Sequence, residues 1–343
     1  MRLPPFEYRA PRTVADAAAL LAEAPGESML LAGGTDVLPN MKRRQQTPRV
    51  LVGLRGIREL RRLEVDRAVR LGAGVTLTDL VRSDALRARV PGLWQAVAQI
   101  ATPHLRNVGT IGGNLCLDTR CTYYDQGPEW RKAIGYCLKK DGATCWVATS
   151  SPTCLAVSST DAAPMLQALG ARVQLVSARG ERRVEVADLY ANDGIAYLTR
   201  RPDEILTAVE IPATAGRRST YWKLRRRGAF DFPVLSVAAA ARVEADGTVT
   251  EARVVVGAAA SRPMAAPAAD RALVGRTLTD DVIAEAAEGA YAVAKPMDNT
   301  DFELVWRKRM TRTLVGYALR ELRGDDMREA RLRLARQSLA MVS

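Results

Sequence analysis

The chain is 343 residues long, more than one hydrophobic core usually supports, so two or three subdomains are expected. Its apolar content of 48% includes no run approaching the eighteen or more residues of a membrane span; the longest, Val234 to Ala241, stops at Arg242. A net charge of +12 is carried mainly by arginines spread along the chain. No helix-turn-helix, zinc-finger or aromatic stacking pattern accompanies Lys42-Arg43-Arg44 or Arg225-Arg226-Arg227, so the charge does not point to nucleic acid.

Taken in order, Thr13 followed by Asp16 marks the start of a short helix with Ala17, Leu20 and Leu21 on one face. Ser28 to Ala32 reads as a buried strand closed by Gly33-Gly34-Thr35-Asp36, a turn whose missing side chains let backbone N–H groups approach an anion. Taken alone, GGTD reads first as a simple tight turn, and it is neither a dinucleotide fingerprint nor a P-loop. Arg49 to Leu54 is a second strand, and Leu71 to Asp79 a third that turns into a helix, with Gly72 and Gly74 as a bulge or close-packing point. Leu93 to Ala101 is amphipathic and stops at Thr102-Pro103. Thr110-Ile111-Gly112-Gly113-Asn114 then forms a second glycine-paired turn. Two such turns, each after an apolar segment, read as two jaws on one phosphate-bearing cofactor.

All five cysteines follow within 39 residues: Cys116, Cys121, Cys137, Cys145 and Cys154. Disulfides fit poorly, because the opening MRLPPFEYRA carries no apolar signal segment and a reducing, cytoplasmic setting is expected. The spacings match neither the close ligand pairs of structural zinc sites nor the common ferredoxin patterns, so an iron-sulfur cluster, zinc and unligated thiols all stay open at this point. Cys116, two residues after the glycine turn, reads as a buried strand residue rather than a ligand. His104 is the only histidine, which leaves no multi-histidine metal site.

Beyond the cysteines, Ala171 to Ser177, Arg183 to Val186, Glu204 to Ile211 and Thr220 to Leu224 alternate like strands. Val234 to Glu244 and Val249 to Ala258 form a hairpin across Asp246-Gly247. Thr279 to Ala294 and Glu303 to Leu322 are amphipathic helices, and Asp325 to Val342 is a basic helical tail. An α+β fold is expected, with a sheet covered by helices in its C-terminal part.

LAGGTDVLP, ATPHLRNVGTIGGN, DEILTAVEIP and YWKLRRRGAFDFPVLSVAAA together resemble the FAD-binding subunits of the molybdenum hydroxylase, or xanthine oxidase, family. The blocks occur in the family's order between residues 30 and 241. The resemblance implies a two-part FAD-binding domain over residues 1–216 and a smaller C-terminal α+β flavoprotein domain over 217–324, followed by the basic tail at 325–343. A cysteine loop inserted at about 117–160 resembles the branch formed by 4-hydroxybenzoyl-CoA reductase beta subunits, whose insertion holds a [4Fe-4S] cluster. On that resemblance Cys121, Cys137, Cys145 and Cys154 are its ligands. The first flavin turn falls on Leu30, Leu31, Ala32, Gly33, Gly34, Thr35, Asp36 and Val37, and the second on Thr110, Ile111, Gly112, Gly113 and Asn114. Ile100, Asp161, Leu206 and Lys223 match further flavin positions. The implied activity is that of an electron-transfer subunit: reduced ferredoxin feeds the cluster and FAD, and partner chains carry [2Fe-2S] centres and molybdopterin. A flavin subunit of an oxidative hydroxylase, or a non-enzymatic zinc-stapled binding protein, are the other readings. Arg120, Arg131, Lys132, Lys139 and Lys140, in or beside the loop, are expected to give it a field that attracts an acidic donor.

Overall fold

The structure is a computed structural model that describes residues 2–213 and 216–340. Positions 341–343 of the expected tail lie outside the described residues.

The N-terminal part begins with a helix, Val14–Glu23, whose first turn is capped by the Thr13 hydroxyl accepting from the Asp16 N–H at 3.0 Å. That helix packs beside a three-stranded parallel sheet in the order Glu7–Arg9, Val50–Gly53, Ser28–Leu31. A second, five-stranded antiparallel sheet runs Leu63–Val65, Val69–Gly72, Ile205–Ile211, Arg172–Ser177, Gly180–Glu185. Gly72 and Gly74 are close-packing points, since a Cβ on either would lie 2.3 and 3.1 Å from the Leu60 carbonyl oxygen.

The C-terminal part is a four-stranded antiparallel sheet, Met264–Ala265, Val249–Gly257, Leu235–Val243, Arg217–Leu224, with helices Asp280–Val293 and Leu304–Arg323 on one side. Its hairpin turns at Asp246-Gly247, where Gly247 has φ +86°. Strand Leu235–Val243 is buried on both faces. Ala238 and Ala240 join the core shared with helices Pro91–Ala98 and Ala162–Ala168, while Val237, Ala239 and Ala241 join the helical layer. Two-sided burial is why VLSVAAAA is apolar at every position but Ser236 rather than at every second one. The tail continues as helix Arg328–Ala340, with Arg331 stacked over Trp222 at 4.2 Å and paired to Glu321 at 2.6 Å.

No helix among the described residues is long and apolar enough to cross a membrane.

Candidate functional site

The parallel sheet and the five-stranded sheet leave a cleft of about 400 Å³ between them, closed at one side by the segment that follows strand Arg217–Leu224. Strand Ser28–Leu31 delivers Gly33 and Gly34 to its floor, and the chain then enters a short helix, Val37–Lys42. Gly34 has φ +72°, a left-handed conformation that glycine adopts without strain. The second glycine segment is not a free turn: Thr110 caps a short helix, Ile111–Leu115, its hydroxyl accepting from Gly113 N–H at 3.0 Å. The two segments meet backbone to backbone, Gly33 against Val108 and Gly109.

Leu30, Ala32, Gly33, Gly34, Thr35, Asp36, Val37, Ile100, Thr110, Gly112, Gly113, Asn114, Asp161 and Leu206 all line this cleft. Leu31, Ile111 and Lys223 do not. Ile111 is fully buried in the central core. Lys223 lies behind the wall: its Nζ sits 2.9 Å from one Asp161 carboxylate oxygen and donates to the other at 3.0 Å and to the Gln99 carbonyl at 3.0 Å. Tyr221 donates its hydroxyl to the same carboxylate at 2.8 Å. Burial pushes the Asp161 carboxyl up and the Lys223 ammonium down, and their mutual contact works against both shifts. Asp161 reaches the cleft with its carboxyl group already held from behind by Tyr221 and Lys223. Asn114 is fixed similarly, its side-chain oxygen accepting from the Thr160 hydroxyl at 2.7 Å and the Ala162 N–H at 3.2 Å.

Cys116 departs from expectation. It terminates the short helix instead of sitting in a strand, and it is half-buried on the cleft wall. The apolar run around it reads as strand, but the Thr110 cap commits the backbone to a helical turn.

The other four cysteines come together. Cys121, Cys137, Cys145 and Cys154 are buried, free of disulfides, and line one small cavity with Tyr123, Tyr124, Leu138, Lys139, Trp146, Val147 and Ala156. Burial pushes the Cys121 thiol up to about 12 and the Cys154 thiol up to about 11, the Lys139 charge opposing the latter shift. Among the described residues, no group of three or more His, Cys, Asp and Glu is arranged to hold a single metal ion.

The loop's charges are not where the sequence puts them. Arg120, Arg131 and Lys139 have their side chains turned inward, leaving Lys132 exposed and Lys140 partly exposed. Burying a cation requires partners, and each has at least one, although Arg120 Nε and Arg131 Nε and Nη1 are buried without a hydrogen-bond partner among the described residues. Arg120 pairs with Asp36 of the first glycine turn and with Asp125 at 3.3 Å, and stacks over Phe232 at 4.8 Å. Arg131 donates to the Arg43 carbonyl at 2.7 Å. Lys139 donates to Asp118 Oδ1 at 2.7 Å, Thr119 Oγ1 at 2.5 Å and the Gly194 carbonyl at 2.6 Å. Burial pushes the Asp36 carboxyl up while Arg120 pulls it down.

The loop is also fastened to the C-terminal part. Ser158 N–H donates to the Ala260 carbonyl at 3.0 Å, the Ser261 hydroxyl to Ala156 at 2.7 Å, and Asn299 Nδ2 to Leu155 at 2.6 Å; Thr122 N–H donates to the Asn299 carbonyl at 3.0 Å.

Several cleft residues lie outside the set expected from the sequence: Arg43, Gln46, Asp118, Tyr197, Arg200, Arg227, Phe230 and Phe232. The last three belong to RRRGAFDF, whose aromatic and basic make-up, just past a strand, is the signal that could have found them. Apolar walls and glycine backbone with polar groups at intervals are the composition of a cofactor site. Gly113 adds a specific point of fit: a Cβ there would meet only the Thr110 hydroxyl, at 3.1 Å, so its bare backbone faces open cleft.

Residues 4–214 match the family described as the FAD binding domain in molybdopterin dehydrogenase, and residues 219–322 the CO dehydrogenase flavoprotein C-terminal domain. The chain is 31% identical over 325 residues to the aldehyde oxidoreductase FAD-binding subunit PaoB of Escherichia coli (strain K12), covering 91% of this chain and 98% of that one. It is 29% identical to the carbon monoxide dehydrogenase medium chain of Afipia carboxidovorans, covering 92% and 95%. Among solved structures, reconstituted CO dehydrogenase from Oligotropha carboxidovorans superposes with a TM-score of 0.77 at 28% identity, covering 93% of this chain and 98% of that chain.

Proposed function

The chain belongs to the FAD-binding medium subunits of the molybdenum hydroxylase and CO dehydrogenase family, and we propose that within it the chain is a flavin and [4Fe-4S] electron-transfer subunit of the 4-hydroxybenzoyl-CoA reductase type. The observation that carries this reading is the convergence of Cys121, Cys137, Cys145 and Cys154 on one buried cavity beside the cleft. Thiolates are the ligand set of a four-iron cluster. FAD exchanges one or two electrons and a cluster one, so a chain with both converts between the two kinds of carrier.

In this reading FAD occupies the cleft. Gly33, Gly34 and Thr35 on one side and Thr110 to Asn114 on the other face its pyrophosphate, and Asp161 presents its anchored carboxylate. Substrate chemistry takes place on partner subunits carrying molybdopterin and [2Fe-2S] centres. Reduced ferredoxin is the external donor, and the phenolic hydroxyl of an aromatic acyl-CoA is removed reductively. Residues 1–216 form the flavin domain with the cysteine loop inserted at about 117–160, and residues 217–324 the C-terminal domain.

A second reading, a flavin subunit working oxidatively, is favoured by the names of the relatives, which include an aldehyde oxidoreductase and a carbon monoxide dehydrogenase. Anaerobic purification with its partner subunits, followed by a visible spectrum, iron and zinc analysis, and assay with 4-hydroxybenzoyl-CoA and reduced ferredoxin, separates the two. About four irons per chain beyond those of the [2Fe-2S] subunit, with substrate-dependent ferredoxin oxidation, is the expected result. Flavin without that iron, or zinc in its place, refutes the cluster assignment.

A further inference from the structure

The cleft and the cysteine cavity share a wall, and the wall contains one buried lysine. Asp118 and Tyr197 line the cleft, while Lys139 and Tyr124 line the cysteine cavity. The Lys139 side chain is 6% exposed, as is that of Asp118, and the two are 2.7 Å apart. Two rings face the ammonium, Tyr124 at 4.8 Å and Tyr197 at 5.4 Å. Tyr124 in turn donates its hydroxyl to Asp118 at 3.1 Å, and Gln46 donates to the same carboxylate at 3.2 Å. Lys139 also donates to the carbonyl of Gly194, whose own N–H donates to the Cys154 carbonyl at 2.8 Å. The ammonium is thus fixed in place and dry, one residue link from a cysteine on one side and one carboxylate from the cleft on the other.

We propose that Lys139, anchored by Asp118, is a positioning residue that supplies the fixed positive charge of this wall and holds the reduction potential of the cysteine-ligated cluster up. The inference rests on the four-iron reading. A cluster gains one negative charge on taking up one electron, and a fixed cation nearby in a low-dielectric interior favours that reduced form. Asp118 opposes the effect with its own charge, but it lines the cleft and not the cysteine cavity, whereas Lys139 lines the cavity, so the cation dominates at the cysteines. The same lysine is the wrong residue for attracting a partner from solution, because its head never reaches the surface.

The two members of the pair carry opposite signs, and this gives the test. The full chain and its Lys139→Met and Asp118→Asn variants, purified anaerobically, are titrated electrochemically with mediators while the cluster is followed by electron paramagnetic resonance. In Lys139→Met the ratio of reduced to oxidised cluster at fixed potential falls about tenfold, a 59 mV shift for a one-electron couple. In Asp118→Asn, which leaves the cation uncompensated, the ratio moves the other way. Shifts of the same sign in both, or none in either, overturn the proposal while leaving the cluster in place. If Lys139→Met does not hold iron, Asp118→Asn decides alone: a raised potential supports the proposal and an unchanged one overturns it. An unsubstituted chain with no iron in the cysteine cavity refutes the four-iron reading itself, a different outcome from an unmoved potential.

Discussion

Gly33 and Val108 touch backbone to backbone: a Cβ on Gly33 would fall 2.0 Å from the Val108 carbonyl oxygen. The two glycine segments are therefore held to each other as well as presented to a cofactor, and their glycines do different work. Gly113→Val projects into the cleft and should reduce FAD retention at least tenfold with little change in melting temperature. Gly33→Ala forces the segments apart and should cost on the order of 1–3 kcal/mol of stability, as overpacking does, with FAD lost as well. Flavin-to-protein ratio and a thermal melt on each variant check both; Gly113→Val protein with its full flavin would remove the cleft assignment.

The cysteines make a sharper claim. Serine at Cys121, Cys137, Cys145 or Cys154 should each abolish the four-iron signal, whereas Cys116→Ser, at a helix end on the cleft wall, should leave iron unchanged. Iron and sulfide analysis decides it, and iron loss confined to the Cys116 variant contradicts the ligand set.

Donor encounter should depend on Lys132 and Lys140, the loop cations that remain exposed or partly exposed. Stopped-flow reduction of FAD by reduced ferredoxin should slow with rising ionic strength and slow further in a Lys132→Glu, Lys140→Glu variant, as steering by opposite charge requires. A rate indifferent to both places donor docking elsewhere on the chain.

Asp270 gives a pH dependence. It accepts from the Val254 N–H at 2.7 Å, and burial pushes its carboxyl up to about 6. Between the usual value of 3.8 and about 6 the folded chain keeps a proton that the unfolded chain has released. Stability from this group is therefore present at low pH and lost as pH rises through that window. Asp270→Asn keeps the acceptor without the charge and should raise stability by on the order of 1–2 kcal/mol at pH 7.5 and hardly at all at pH 4. Thermal melts of both proteins at the two pH values are the measurement, and an equal gain at both would reject the burial of a charged carboxylate as the cause.

What the sequence reveals and what it hides divide along physical lines. Helix starts at Thr13 and Thr279 are legible because a cap is a local pattern, and both hydroxyls do accept from the third residue on. The hairpin at Asp246-Gly247 is legible for the same reason. Cysteine clustering is visible because all five fall in one stretch. Arg120 with Asp36, 84 residues apart, and Lys139 with Asp118, 21 apart, leave no periodic trace. Charge in a flexible-looking loop reads as surface charge, and only the packed structure shows three of those five cations turned inward. Lys223 illustrates another limit: a family block fixes a position along a strand, but which neighbour stands between that side chain and the cleft depends on Asp161, 62 residues earlier.

The hydrogen bonds from Ala260, Ser261 and Asn299 to the cysteine loop also set an order of manufacture. A ribosome adds about 5–20 residues per second, so Asn299 follows Cys154 by roughly 7 to 30 s at that pace. Throughout that interval the loop has all its thiols but lacks the groups that close over Leu155, Ala156 and Ser158. The cysteine pocket is thus closed only after residues of the C-terminal part have been made.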